Sequence, residues 1–318
     1  MNVEVSRLAE PTTTRRNSPS VPRVPRKVFG RSAFAKPGLA TAILLLTPSL
    51  ILIGVVIAYP MLLGLQYSMS TGSLIKQGGF VGLANYAKLL QSPTFYNSLE
   101  FSVGFAIANI AGCYTLGLGL ALLMQKGIPG QGIFRVLLLL PWIVPSLVGV
   151  VSWRWLVGDE AAFVNRIIKW AGGNPIFFLS SSGWAILIVI LIKIWRSFPF
   201  MMLSLLAALQ SIDRTLYEAA AIDGATPRQM FRYITLPQIR NISIILCLMM
   251  IIWSVNDFDT PWLLAQGGPA NATQNLVILA YRYTFERNDV GMGAATSFIT
   301  LFGLMALVSV VLRLQRKR

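Results

Sequence analysis

The sequence predicts an all-α, polytopic membrane protein with six transmembrane helices. Three observations carry that prediction. Of 318 residues, 55% are hydrophobic and only 12% are charged, against about 25% charged in an ordinary soluble domain. Mean hydropathy is +0.64, so a water-facing surface would lack the charge to cover itself. The apolar residues also fall into long uninterrupted runs, not into the ten-residue alternation of a membrane barrel.

A helix needs about 20 apolar residues to cross a hydrocarbon core about 30 Å thick. Six runs meet that length: Leu39–Leu63, Phe101–Met124, Ile133–Val157, Trp184–Leu209, Gln238–Leu264 and Gly291–Leu314. Backbone groups in lipid must be satisfied within the segment, which requires helix. Residues 1–37 read as a disordered basic tail rich in Pro, Ser, Thr and Arg, and residues 38–318 as the membrane domain. The first apolar run is too long for a signal-peptide core and lacks a small-x-small cleavage site. In the second run, Gly104, Ala108 and Gly112 recur at four-residue steps, the spacing that lets helices approach closely in lipid. The third, "LLLLPWIVPSLVGV", carries Pro141 and Pro145 and is expected to kink or break. Cys113 and Cys247 lie inside spans and read as small core residues, not as a disulfide. Residues 78–86, 158–183 and 266–269 read as turns and surface pieces.

The net charge of +15 belongs to topology, not to nucleic acid. Arg7, Arg15, Arg16, Arg23, Arg26, Lys27, Arg31 and Lys36 precede the first span, and Arg313, Arg316, Lys317 and Arg318 close the last. Lys126 and Arg135 flank one loop; Arg214, Arg228, Arg232 and Arg240 flank another. All of these fall on one side of a six-span chain, and the positive-inside rule places that side, with both termini, in the cytoplasm.

Composition also excludes chemistry. There is no histidine, which removes His-based triads, imidazole relays and most zinc sites. No metal site is expected. No G-x-x-x-x-G-K-[ST] loop is present, so the chain has no visible cradle for nucleotide phosphates. Paired catalytic carboxylates are lacking too; Asp159 and Glu160 are adjacent in an external loop and read as solvated. An ion-driven secondary transporter of a small polar solute is the alternative. It would use membrane-embedded acids, and the spans offer only Asp257 and Asp259, near one end.

The most informative stretch is "EAAAIDGATPRQMFRYITLP", Glu218–Pro237. Asp213 can cap a helix starting at Arg214. Ala219, Ala220 and Ala221 give a narrow, strongly helical surface, and Gly224 fits a helix stop. Thr226, Pro227 and Gln229 form a capping-box pattern with proline at the first helical position. Two short helices at a defined angle are expected over 213–237, before Pro237 opens the fifth span.

This stretch resembles the EAA loop of ABC importer permeases. The pattern E-A-A-x-x-D-G-A, then F-x-x-I-x-L-P, is matched by Glu218, Ala219, Ala220, Asp223, Gly224, Ala225, Phe231, Ile234, Leu236 and Pro237. "FVGLANYAKLL", "LLLLPWIVP", "LLAALQSIDRTLYEAAAIDGA" and "GGPANAT" resemble the sugar-permease branch typified by maltose and glycerol-phosphate systems. The resemblance implies a cytoplasmic coupling helix docked on a separate ATPase, with ATP and Mg bound by that partner and no cofactor in this chain. It further implies two such ATPase subunits, a second homologous permease, and a periplasmic or lipoprotein solute-binding protein. The expected site is a bacterial or archaeal inner membrane, with a carbohydrate as substrate and lipid as surroundings.

Two helix faces suggest a substrate path. Lys193, Arg196, Ser197 and Phe200 follow i, i+3, i+4, i+7 in the fourth span; Met250, Trp253, Ser254 and Asp257 do so in the fifth. The maltose-permease resemblance places sugar contacts on Lys193, Trp195, Ser197, Phe200, Met250, Trp253 and Ser254. A charge at that depth costs about 2.5–3.5 kcal/mol on insertion scales, and a neutral sugar does not call for Lys193 or Arg196. Two readings stay open: an acidic or phosphorylated sugar with Lys193 as charge partner, or pairing of Lys193 and Arg196 with Asp257, Asp259 or the sister permease.

Overall fold

A computed structural model describes residues 39–127 and 129–316; the expected basic tail lies outside the described residues. The chain divides into two units, Met1–Ile57 and Ala58–Arg318. In the first, α1 (Leu39–Ile53) carries Pro48; a wide π turn, Gly54–Ala58, follows it and ends on the first residue of the second unit.

The second unit begins with α2 (Tyr59–Ser68) and a small antiparallel ribbon, β1 (Ser70–Gly72) with β2 (Gln77–Phe80). Then come α3 (Ala84–Leu90), α4 (Pro93–Gln125), α5 (Gln131–Ile143), α6 (Ser146–Val157), α7 (Phe163–Trp170) and α8 (Ser182–Gln210). The chain continues through α9 (Arg214–Ile222), α10 (Pro227–Met230), α11 (Leu236–Val255), α12 (Asp259–Ala265), α13 (Leu276–Tyr281) and α14 (Val290–Arg316). Among the described residues, five helical runs are long and apolar enough to cross a membrane, and six when the bent pair α5–α6 is counted as one span.

That pair turns by 92°, and the two prolines in it differ in role. Pro141 stays inside α5 and is buried. Val144 is extended, as a residue before proline prefers, and Pro145 caps α6. The break therefore belongs to Pro145.

α4 and α8 form the centre of the bundle. The small-residue spacing is only partly the reason they lie close. A Cβ at Gly104 would meet nothing within 4 Å, whereas one at Gly112 would meet Ile194 and one at Gly117 would sit 2.8 Å from Met201 and 3.0 Å from the backbone nitrogen of Met202. The approach point is thus Gly112–Gly117, half of it outside the expected stripe. Around it Leu118, Ala121, Met201, Met202, Leu205, Ile239 and Leu246 build one apolar cluster. Toward the α7 end, Phe105, Val150, Val189 and Leu264 build a second. Cys113 and Cys247 are both free thiols.

The 266–275 segment is more than a surface turn. Thr273, Gln274 and Asn275 are buried. Gln274 donates to Ser98 Oγ at 2.9 Å, the Leu276 amide donates to Ser102 Oγ at 2.9 Å, and Asn275 donates to the Asp257 carbonyl at 2.6 Å. Buried polar groups need partners; α4 supplies two of these and the end of α11 the third, so the loop folds inward.

Candidate functional site: a helical loop and an aromatic cavity

The 213–237 loop is built by local hydrogen bonds. Asp213 Oδ1 accepts from the Thr215 amide at 2.9 Å and starts α9. Hydrogen bonding from Thr215, chiefly from its backbone amide, holds the Asp213 carboxyl below its ordinary value. Gly224 takes φ +76°, and the Ala225 amide reaches back to the Ala220 carbonyl at 2.9 Å, which closes the helix by a left-handed stop. Thr226 and Gln229 then exchange both capping-box bonds, with Pro227 at the helix start.

Beyond the capping box, the chain departs from the expected pair of separate helices. α10 passes through a π turn, Phe231–Thr235, directly into α11. Pro237 has no N–H to offer the preceding turn, and the wide turn absorbs the mismatch. The second short helix is therefore continuous with a membrane span. The Tyr217 hydroxyl meets Thr235 Oγ1 at 2.9 Å, tying α9 to the same turn.

The matched residues divide into two groups. Glu218, Ala219, Asp223, Gly224 and Pro237 are exposed, and Ala220 and Ala225 are half-buried. Phe231 and Leu236 pack instead against the Met201–Leu205 cluster. α9 buries no residue of its own. Ile222, which the motif does not single out, is 88% exposed, an apolar side chain at the tip of a polar loop.

The cavity lies between α5, α8 and α11. Pro141, Trp142, Lys193, Arg196, Ser197, Phe200 and Trp253 line about 200 Å³. Phe200 sits between two indoles, with ring centres 6.0 Å from Trp142 and 4.9 Å from Trp253. The four α8 residues face the cavity together, as their spacing predicts.

The α11 residues do not stay together. Trp253 reaches the cavity, while Met250 and Ser254 are fully buried against α4, where Asn109 Nδ2 donates to Ser254 Oγ at 2.9 Å. Trp253 and Ser254 are adjacent, hence about 100° apart around the helix, and α4 covers only one side. Asp257 lies beyond the end of α11. Trp195, outside the cavity lining, packs edge-on against Trp153 with ring centres 5.5 Å apart.

Charge in the cavity is settled by pairing. Lys193 Nζ stands 2.9 Å from Asp257 Oδ2, with both side chains nearly buried. Asp257 Oδ1 also accepts from the Thr260 amide at 3.2 Å, at the start of α12. Lys193 thus has a carboxylate partner within its own chain. Asp259 accepts from Ser146 at 2.6 Å instead. Arg196 donates to Thr260 Oγ1 at 3.1 Å and has no carboxylate within 4.0 Å among the described residues, so it leaves the cavity with one uncompensated positive charge. Trp142 and Thr260 are additions that the sequence pattern does not single out. The Pro141–Pro145 break places a turn there, but its partner across space is not written in the local sequence.

Comparison with known proteins identifies the family. Residues 114–318 match the family described as binding-protein-dependent transport system inner membrane component. The trehalose/maltose transport system permease of Thermococcus litoralis is 32% identical over 77% of this chain and 83% of its own. The sulfoquinovosyl glycerol transport system permease of Agrobacterium fabrum is 32% identical over 87% of this chain and 91% of its own. In fold, a chain of a bacterial ABC transporter that imports the acidic polysaccharide alginate superposes with a TM-score of 0.76 at 22% identity, over 87% of this chain and 95% of that one. With its family model matched over more than half its length, this chain belongs to the binding-protein-dependent inner membrane transport components: it is an ABC importer permease.

Proposed function

We infer that this chain is the permease subunit of an ATP-driven, binding-protein-dependent carbohydrate importer, and that its substrate carries negative charge. The observation that carries the reading is the capped 213–237 loop, exposed along α9 and continuous through α10 with span α11. A rigid push on α9 and α10 would reach α11 without an intervening flexible link. We assign ATP and Mg to two separate ATPase subunits, and a second homologous permease and a solute-binding protein to the same assembly. Both termini and the loop face the cytoplasm in this reading.

The anionic preference is supported by Arg196. Lys193 is neutralised by Asp257, so the charge available to a substrate is the guanidinium, whose planar fork suits carboxylate, sulfonate or phosphate oxygens. Trp142, Phe200 and Trp253 supply apolar surface for a sugar ring. A uronate oligosaccharide or a sugar phosphate fits that combination.

The test is purification of the tagged chain from its native membranes, followed by uptake after reconstitution. A second six-span permease and a phosphate-loop ATPase should copurify, and uptake should need ATP. Ion-driven uptake by the chain alone would overturn the assignment.

A further inference from the structure

α7 presents an apolar face that nothing among the described residues covers. Phe163, Ile167 and Trp170 follow i, i+4, i+7, and their exposures are 58%, 50% and 89%. The opposite side of the helix is fixed in place. Asn165 is fully buried; its amide donates to the carbonyls of Asp159 at 2.8 Å and Ile176 at 3.0 Å, and its Oδ1 accepts from the Ile176 amide at 2.8 Å. Val164 and Ile168 pack beside it against the Val150–Val189 cluster. With that side pinned, the Phe163–Trp170 face has to point away from the bundle.

The third side of the helix is charged. Arg166 donates its Nε to the Ala161 carbonyl at 2.8 Å, and its guanidinium has no carboxylate within 4.0 Å among the described residues. Lys169 pairs with Glu160 at 2.7 Å, half exposed. Apolar, charged and packed stripes thus run side by side on one eight-residue helix.

The surroundings repeat the pattern. Trp155 near the end of α6 is 80% exposed, Phe177 is 51% exposed, and Trp184 in the first turn of α8 is 43% exposed. Like Phe163 and Trp170, they are exposed aromatics of the Trp155–Trp184 stretch, which joins the end of α6 to the end of α8 opposite the 213–237 loop. Aromatic rings collect at that level because one part of the ring prefers hydrocarbon and the other the wet headgroups.

The geometry points to α7 as an interfacial membrane anchor: a short helix lying in the headgroup layer, with Phe163, Ile167 and Trp170 in the acyl boundary and Arg166 on lipid phosphate. The occupant of this face is lipid, because the face belongs to the same stretch of exposed aromatics that joins α6 to α8 and its free cation complements phosphate. The anchor fixes the outer end of the bent α5–α6 pair, since α7 follows it directly and packs on it. This depends on the chain lying in a membrane, not on what it transports.

The experiment replaces Trp170, and separately Phe163, by the photo-crosslinker p-benzoylphenylalanine in the full transporter complex. The complex is reconstituted into vesicles of phosphatidylethanolamine and phosphatidylglycerol and irradiated, and the adducts are identified by mass spectrometry. Lipid adducts at both positions are expected. Adducts to another polypeptide, whether a second permease or a binding protein, would overturn the proposal by showing that protein covers this face. No adduct at either position would overturn it equally, because the face would then stand in water.

Discussion

The 213–237 loop and the Lys193–Trp253 cavity are built by opposite means. In the loop, almost every bond that sets the shape joins residues two to five apart: Asp213 to Thr215, Ala225 to Ala220, Thr226 to Gln229. In the cavity, the decisive pairs join residues far apart in sequence, Lys193 to Asp257 and Arg196 to Thr260. The first is self-contained, held in shape by its own short-range bonds. The second exists only while α5, α8 and α11 stand in one arrangement. In the proposed transport cycle the first serves as a handle that does not deform and the second as a site that opens when helices shift.

The largest effect that would break this comparison lies in the cavity. Asp257→Ala leaves Lys193 buried without its partner, a change that costs about 3–5 kcal/mol. Detergent-solubilised protein should unfold at a clearly lower temperature, and Lys193→Met in the same chain should restore most of the loss. A double variant as unstable as the single one would mean the pair is not what holds this site. A smaller loss is expected at the centre of the bundle. Gly117→Ala forces a Cβ onto Met201 and the Met202 backbone and should destabilise by about 1–3 kcal/mol, while Gly104→Ala, facing open space, should unfold as the unmodified chain does.

Arg196 comes next. Arg196→Ala should raise the KM for an anionic sugar about 10- to 150-fold, in keeping with a lost charged hydrogen bond of about 1.5–3 kcal/mol. Uptake of a neutral sugar should not fall with it. Equal losses for both would place Arg196 in the scaffold through Thr260 and remove the argument for an acidic substrate.

The smallest effect belongs to the loop. Asp213→Ala removes the cap of α9, so amide exchange at Thr215 and Leu216 should quicken at neutral pH. Because the Asp213 carboxyl is held below its ordinary value, its contribution is present above the unfolded-chain value and lost as pH falls through the folded one. Unmodified and variant chains should converge in acid.

The same contrast explains what the sequence disclosed. Local code was legible: the cap at Asp213, the stop at Gly224, the capping box at Thr226 and the break near Pro145 all stand where the residue pattern put them. The α8 face was legible as well, since all four of its residues turn to the one cavity. The α11 face, with the same spacing, was not: such a face spans about 100°, and sequence cannot say that a neighbouring helix, here α4, divides it. Met250 and Ser254 went to α4, Trp253 to the cavity. Trp142 was missed for the same reason: a proline announces a bend but not what the bend faces. The π turn before α11 left no signal apart from Pro237 itself.

The central claim is that energy enters through the exposed surface of α9. The most direct test replaces Ile222, 88% exposed at its tip, by aspartate, and as a control makes the same change at Ile75, 94% exposed in the β1–β2 turn. Both variants are reconstituted with the remaining subunits, and uptake is measured together with ATP hydrolysis. The account predicts that Ile222→Asp inserts normally but loses ATP-driven uptake and substrate-stimulated hydrolysis together, while Ile75→Asp keeps both. Undiminished, coupled uptake in Ile222→Asp would contradict it.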